Sequence, residues 1–474
     1  MESLPIFMKI SVTKIMLISV YHLTYPIEQK FLKFITLSVL TALAKGEIKM
    51  KISIIGTGYV GSVLGAGLAR IGHDVVLVDV IPEKVDMINA GKAPIHEKGL
   101  QEMITDYKEQ ISATTNLREA VLSTDLTFIC VGTPSRKDGS MDVSYVHGVA
   151  REIGNAIREK QEKHYIVIKS TVLPGTAEEC IKIIEEASGK RFPQGFSMAS
   201  NPEFLREGSA VHDFLHQDRI ILGTTDPDAV VKLNLVYAGL SPLYLETKFK
   251  EAEMIKYANN SFLATKISFI NEIGNICKRM GIDTNVVARG IGMDFRIGQH
   301  FLKSGIGFGG SCFPKDVSAI THKATVNGYN PRILRAVLDV NKEQPLKVLE
   351  VLDKRVGSIK GKKIAVLGLA FKAGTDDVRE SPSMQVVKEL ATEKASLVLF
   401  DPIASENFRK IFPLMSYAKS AQEAVNDAEI VLILTEWPEF EKIDYGEKIV
   451  IDGKNLLGQG KEHLRPKNYE GVCW

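Results

Sequence analysis

Residues 51–80 constrain what this chain can fold into more than any other stretch. A β-branched run, KISII, leads into Gly56-Thr57-Gly58-Tyr59-Val60-Gly61; a glycine-punctuated helical pattern follows, then a second strand pattern, HDVVLVDV, which contains Asp79. Strand, glycine turn, helix and strand in that order make a βαβ unit. Gly56 permits the tight turn, Gly58 lets backbone approach a pyrophosphate, and Gly61 lets the helix pack closely on the strand. Free N–H groups and the positive end of the helix then suit a diphosphate. Asp79 follows Gly61 by 18 residues. A carboxylate there accepts hydrogen bonds from both ribose hydroxyls of an adenosine and repels a 2′-phosphate, so the spacing predicts NAD over NADP. The alternative is a tight turn that holds no ligand.

The alternation continues through TDLTFICVG (124–132), a helix near 144–160, a strand near 164–171, a helix near 176–187 and a strand near 196–202. This predicts a parallel, doubly wound sheet. From about 246 the texture changes. Residues 248–280 hold no proline and no glycine before Gly274, with apolar positions at helical spacing, and 331–355 is a second such stretch. Between them lies GIGFGGSCFPKD (305–316). A second α/β signature opens near 360 with KKIAVLGLAF, followed by a helix near 382–395 and the strand patterns ASLVLFDP, AEIVLILT and KIVIDG. The expected fold class is α/β: doubly wound domains over 50–245 and 356–474, joined by a helical central domain over 246–355. Around Gly368 the second α/β unit lacks G-x-G-x-x-G, so it is the weaker dinucleotide candidate, and a sugar-nucleotide suits it as well.

A length of 474 residues fits about three domains. Lys plus Arg is 59 and Asp plus Glu is 57, a balance that gives no electrostatic case for nucleic acid. The five cysteines are odd in number, widely spaced and free of any Cys-x-x-Cys, which argues against a disulfide framework or a zinc site. No metal and a reducing compartment, the cytoplasm, are expected. Residues 1–49 stand apart, apolar and aromatic-rich, yet Lys9, Lys14, Lys30 and Lys33 break every apolar run short of the ~20 residues of a membrane span. Three readings of this segment stand: a true start at Met50, a real flexible or membrane-touching extension, and a cleaved signal with its apolar part at 34–41. The first is preferred, and a chain beginning at Met50 is expected to be soluble and active.

Several residues have the chemistry for a reaction. Cys312 lies in Gly309-Gly310-Ser311-Cys312-Phe313-Pro314-Lys315-Asp316, where glycines allow close approach of substrate and Lys315 and Asp316 put charge near the thiol. A thiol attacks as thiolate, so cations and N–H donors nearby matter. Cys130, in an apolar run, reads as core, and Cys180 and Cys277 as structural. Lys256 and Asn260 are four apart and share a helical face; Lys256 is either a surface lysine or a donor to an oxyanion. Glu203 and Glu207, in NPEFLRE, are expected on one helical face, either as paired carboxylates that position water or as acids at a helix N-terminus. Ser170 and Thr171 end a strand, where their hydroxyls serve a cofactor, water or a helix cap.

The glycine turn with Asp79, NPEFLREG, KYANNSF, GFGGSCFPKD and LAFKAGTDDVRESP occur in that order. Together they resemble the UDP-glucose/GDP-mannose dehydrogenase family over about residues 50–455. The resemblance implies Rossmann-like folds for the two α/β domains. It also implies an NAD-dependent, two-step, four-electron oxidation of the C6 alcohol of a nucleotide-sugar to a carboxylate. By resemblance Cys312 is the nucleophile, carrying C6 as thiohemiacetal and then thioester, which water hydrolyses. Lys256 and Asn260 steady oxyanion character at C6, Asp316 and Thr171 assist proton transfer through water, and Glu207, with Glu203, positions water or substrate. On the cofactor side the resemblance places the glycine turn with Tyr59 and Val60, Asp79 and Lys84 at the ribose, Thr133, Ser170, Thr171 and Glu207 along the cofactor, and Lys315 and Arg379 at its phosphates. On the substrate side it places Glu203, Phe204, Leu205, Arg206, Lys256, Asn260, Arg296, Phe301, Lys303, Gly309, Phe371, Lys372 and Lys454. The arginine at the position of Arg296 reaches a neighbouring subunit's site, so a homodimer or higher homo-oligomer is implied.

Phe301-Leu302-Lys303 and Phe313 resemble the branch that uses UDP-glucose; users of GDP-mannose tend to carry Leu at the latter position. Oxidation to UDP-glucuronate is therefore the first expectation, with GDP-mannose or a UDP-N-acetylhexosamine as alternatives. Lys454 stands where an Arg is common and lacks its planar fork of donors, and Lys98 stands where Pro is usual in a loop. A one-step NAD-dependent hydroxyacid dehydrogenase is a more distant reading, which needs neither Cys312 nor a third domain. A non-catalytic NAD-binding scaffold is the remaining one.

Overall fold

A computed structural model describes residues 49–458 and 460–474; the readings of the first 48 residues fall outside them. The first sheet has eight strands: β1 (Lys51–Ile55), β2 (Asp74–Val78), β3 (Ile111–Thr114), β4 (Leu126–Ile129), β5 (His164–Ile168), β6 (Phe196–Ser200), β7 (Arg219–Gly223) and β8 (Leu243–Thr247). Their order is β3-β2-β1-β4-β5-β6-β7-β8. All pairs are parallel except β6–β7. β4 and β6 are buried along their whole length, as strands covered by helices on both faces must be. Strand order reverses between β1 and β4, so the crevice at their C-terminal ends is where a ligand fits. Helix α1 (Tyr59–Arg70) starts in that crevice.

The middle of the chain is built on α2 (Phe249–Met280), 32 residues long and ended by Gly281 at φ 69, hence about 48 Å of rod. It packs on β6 and β7 near its start, then on α3 (Phe313–Val326) and α4 (Arg332–Glu343). The second helical stretch expected over 331–355 is broken. A 3₁₀ turn at Gln344–Leu346 separates α4 from α5 (Lys347–Val356). Pro345 has no N–H to continue the helical ladder.

A second sheet follows, with β9 (Lys363–Leu367), β10 (Ser396–Phe400), β11 (Ser416–Tyr417), β12 (Ile430–Ile433), β13 (Ile449–Asp452) and β14 (Asn468–Gly471). Its order, β11-β10-β9-β12-β13-β14, is all parallel and repeats that of the first six strands of the first sheet. The two α/β halves thus share a six-stranded parallel topology, to which the first adds β7 and β8. The end of the chain returns to α2: Lys278 Nζ donates to the carbonyls of Gly471 (2.8 Å) and Trp474 (3.1 Å). All five cysteines are free; only Cys312 is not buried. Among the described residues no helix is long and apolar enough to cross a membrane.

Candidate active site

The turn after β1 has the geometry its glycines predict. Gly56 sits at φ +100, and a Cβ on Gly61 would lie 1.8 Å from the Gly56 carbonyl oxygen. A Cβ on Gly58 would meet nothing within 4 Å, which leaves open space above the start of α1. Asp79 is seated against the turn, accepting from Thr57 N (2.9 Å) and Thr57 Oγ1 (2.5 Å), with Ile81 N on its other oxygen at 3.1 Å. Burial raises its pKa, but these bonds and Lys84, 4.0 Å away, outweigh burial and hold the carboxyl below its ordinary range. The residues present therefore fit a dinucleotide: open space at a helix start and an ionised carboxylate at the end of β2.

A reactive cluster lies beside this crevice. Cys312 is the N-cap of α3 and is partly exposed. Its thiol is raised by burial and lowered by the cation of Lys256. Lys256 is no surface lysine. It is 3% exposed and donates to both the Glu203 carbonyl (2.7 Å) and its carboxylate (2.8 Å). Asn260, one turn on along α2, donates to Asp316 Oδ2 at 2.7 Å, and Lys315 Nζ reaches Asp316 Oδ1 at 2.5 Å. Thr171, Ser170 and Lys256 line one small cavity together with Glu253. Thr133 Oγ1 donates to the Thr171 carbonyl (2.8 Å), which ties the ends of β4 and β5 together.

Glu203 and Glu207 do not share a helical face. Residues 201–206 form no helix. The two carboxylates diverge, one to Lys256 and the other to Ser311 Oγ at 2.8 Å, with Arg379 3.6 Å away. Burial and the neighbouring Asp377 push Glu207 up to about 7. The glycines before Cys312 are also explained differently. A Cβ on Gly309 would lie 2.1 Å from the Glu380 carbonyl, and one on Gly310 would lie 2.8 Å from the Phe371 ring. They allow close contact with the third domain, not only with a substrate.

The third domain closes over the cluster. Tyr59 OH meets Asp376 (3.1 Å) and Thr375 (3.3 Å), and Arg379 makes a two-pronged pair with Asp377. Lys454 pairs with Glu436 at 3.2 Å, and both Lys303 and Lys454 hold the Glu436 carboxyl down against the upward effect of burial. Lys372, itself lowered by burial, feels Glu207, Glu97 and Glu436. Phe301, at φ 63, meets the Phe313 ring at a tilt, and Phe308 meets it edge-on. Phe204 lies under the Arg219 guanidinium, its centroid 4.0 Å away; Leu205 N donates to Glu203, and Arg206 pairs with Asp213. Arg296 joins none of these contacts; it is exposed and pairs with Asp294.

Lys169 and Glu97, beside the cluster, and Asp401, in the second sheet, lay outside the sequence reading. Lys169, buried at the end of β5, donates to Asn201 Oδ1 (2.8 Å), and burial pushes it down to about 8. A lysine closing an apolar strand was the signal. Glu97 accepts from Gly208 N (2.7 Å) and Ala210 N (3.0 Å), fixing the loop that carries Glu207. Asp401, at the end of β10, accepts from Leu369 N (2.8 Å), Ala370 N (3.1 Å) and Trp437 Nε1 (3.0 Å). It occupies in the second sheet the place that Asp79 has in the first.

Comparison with known proteins agrees with this architecture. Three family models match consecutively, all of the UDP-glucose/GDP-mannose dehydrogenase family: its NAD binding domain over residues 50–241, its central domain over 250–343 and its UDP binding domain over 365–459. The chain is 46% identical over 420 residues to UDP-glucose 6-dehydrogenase AglM of Haloferax volcanii, covering 86% of this chain and 97% of that protein. It is 40% identical over 417 residues to UDP-glucose 6-dehydrogenase TuaD of Bacillus subtilis, covering 86% and 89%. A UDP-glucose dehydrogenase structure from the archaeon Pyrobaculum islandicum superposes with a TM-score of 0.86 at 43% identity, covering 90% of this chain and 98% of that one. NAD is the cofactor these matches and the Asp79 geometry agree on. With all three of its domains matched in order and relatives this similar along most of its length, the chain belongs to the UDP-glucose/GDP-mannose dehydrogenase family of NAD-dependent oxidoreductases.

Proposed function

We propose that the chain oxidises UDP-glucose at C6 to UDP-glucuronate, releasing two NADH per sugar. One observation carries this reading: a partly exposed Cys312 heads α3 within a ring of buried, paired polar groups, Lys256 with Glu203 and Asn260 with Asp316. Oxidation of an aldehyde to the acid level needs a tetrahedral adduct that can lose hydride, and a thiol supplies it. The turn at Gly56, Gly58 and Gly61, with Tyr59, Val60, Asp79, Lys84, Thr133, Ser170, Lys315 and Arg379, would hold NAD, which would supply the hydride acceptor for each oxidation. The Cys312 sulfur bonds to the aldehyde carbon. Lys256 and Asn260 steady the negative charge that develops on its oxygen, in a site that excludes most water. Asp316 and Thr171 pass protons through water, and Glu207 and Glu203 bound the space around C6. The thioester left after the second oxidation is cleaved by water, which frees the carboxylate and restores the thiol.

Residues 204–206, Phe301, Gly309 and Phe371 shape the sugar site, and Lys303, Lys372 and Lys454 neutralise the diphosphate. We take residues 50–245, 246–355 and 356–474 as the cofactor, central and nucleotide-sugar units. The working form is a homodimer or larger, in the cytoplasm, with Arg296 completing the partner's site. The test is NADH release against a panel of UDP- and GDP-sugars: turnover with UDP-glucose supports the reading, and preference for another sugar overturns the substrate. The Cys312→Ser variant separates this chemistry from a one-step dehydrogenase, which keeps full turnover.

A further inference from the structure

The Cys312 thiol needs somewhere to send its proton, and its setting does not favour the thiolate: burial, Glu203 and Asp316 raise it, with Lys256 and Ser311 acting against them. The carboxylates of Glu203 and Asp316 are already committed, to Lys256 and to Asn260 and Lys315 respectively. Glu207 is different. Its Oε1 accepts from Ser311 Oγ at 2.8 Å, while its Oε2 is buried with no hydrogen-bond partner. Ser311 Oγ lies 3.6 Å from Cys312 Sγ, and either atom can be the donor there. Resting on the function proposed above, we infer that Ser311 is a proton relay and Glu207 the base that deprotonates Cys312 through it.

A serine hydroxyl has one proton and two acceptor lone pairs, so it can take one proton while giving another. As sulfur bonds to C6, the thiol proton moves to Ser311 Oγ and the Ser311 hydroxyl proton moves to Glu207. The electron pair of the S–H bond forms the S–C6 bond, and the carbonyl π pair moves to oxygen beside Lys256. No oxidant or reductant is involved. The groups facing Glu207 are Tyr59 from α1, Asp377, Arg379 and Lys372 from the loops after β9, and Ser311 itself. Those facing Cys312 are Lys256 from α2, Glu203 from the loop after β6, Asp316 from α3, and Arg379. With burial and Asp377 pushing Glu207 up to about 7, the carboxylate is a base near neutrality, where general-base transfer is most effective.

The test uses the full chain and needs no sugar: the rate at which iodoacetamide alkylates Cys312, followed on its peptide by mass spectrometry, across neutral pH. In the parent protein the rate rises as Glu207 ionises. Ser311→Ala and Glu207→Gln each lower it about a hundredfold at neutral pH and remove that rise, while Ser311→Thr, which keeps a hydroxyl, restores it. An unchanged profile in Ser311→Ala overturns the relay. Faster alkylation in Glu207→Gln shows that the carboxylate only repels the thiolate, and also overturns it. Failure to oxidise UDP-glucose would instead overturn the proposed function and leave this assay untouched.

Discussion

Lys256 and Glu203 face each other at 2.8 Å with almost no exposure. A buried pair of this kind is worth little against an apolar replacement, but removing one partner strands the other's charge. Lys256→Met is expected to cost about 3–5 kcal/mol in urea unfolding; Lys256→Met with Glu203→Gln recovers most of that, while activity stays lost in both. Glu253, on the same face of α2, gives a pH signature. It accepts from Gly175 N (2.7 Å) and Ala177 N (2.9 Å), yet burial pushes it up to about 7, from an ordinary 4.5. The folded state therefore takes up a proton between those values, so its stabilising share is complete below pH 4.5 and lost as pH rises through about 7. The parent chain should lose up to about 3 kcal/mol more than Glu253→Gln in unfolding free energy between acid and mildly basic pH. Lys256 with Asn260 on α2, and Cys312 with Asp316 at the start of α3, could be paired from the sequence because each pair is four residues apart. Lys169 could not be, because its partners Asn201 and Tyr237 lie 32 and 68 residues further along, and only the sheet brings them together.

The glycine turn was read correctly as an element because its chemistry is local. Gly61→Ala places a Cβ 1.8 Å from the Gly56 oxygen, so it should unfold the turn and lower the melting temperature. Gly58→Ala meets nothing within 4 Å and should leave the melting temperature unchanged while weakening NAD binding, which calorimetry can measure. An equal loss of stability in both variants would show that Gly58 serves packing, not the pyrophosphate. The second doubly wound sheet was legible too, from its alternating strand and helix patterns. Its turn at Gly368, φ +97, lacks the later glycines, but Asp401 satisfies the N–H groups there. The loop at 203–207 was misread as helical. Its carboxylates look like a helical pair in sequence, but Glu203 is drawn to Lys256 on α2, 53 residues away.

At the scale of the molecule, α2 leaves Phe262, Phe269 and Ile276 exposed at seven-residue spacing, with Met280 beyond them. An apolar stripe on a long helix suits a helical partner, which supports the proposed dimer. Phe262→Glu with Phe269→Glu should shift sedimentation to the monomer. If Arg296 completes a partner's site, Arg296→Ala and Cys312→Ser are each inactive alone. Mixed subunits regain one intact site in half of the dimers, about a quarter of parent activity; no recovery would place Arg296 in its own subunit's site, and an active Arg296→Ala would place it outside any. The three-part order was legible from where β-type and helical patterns alternate, but the closure of the third domain over Cys312, through Tyr59 and Asp376, joins residues more than 300 apart and left no local trace. The most direct test of the whole account is stoichiometry: NADH formed per UDP-glucose consumed. Two are expected, with UDP-glucuronate the only sugar product; one NADH with an accumulating aldehyde would contradict the proposed thioester route.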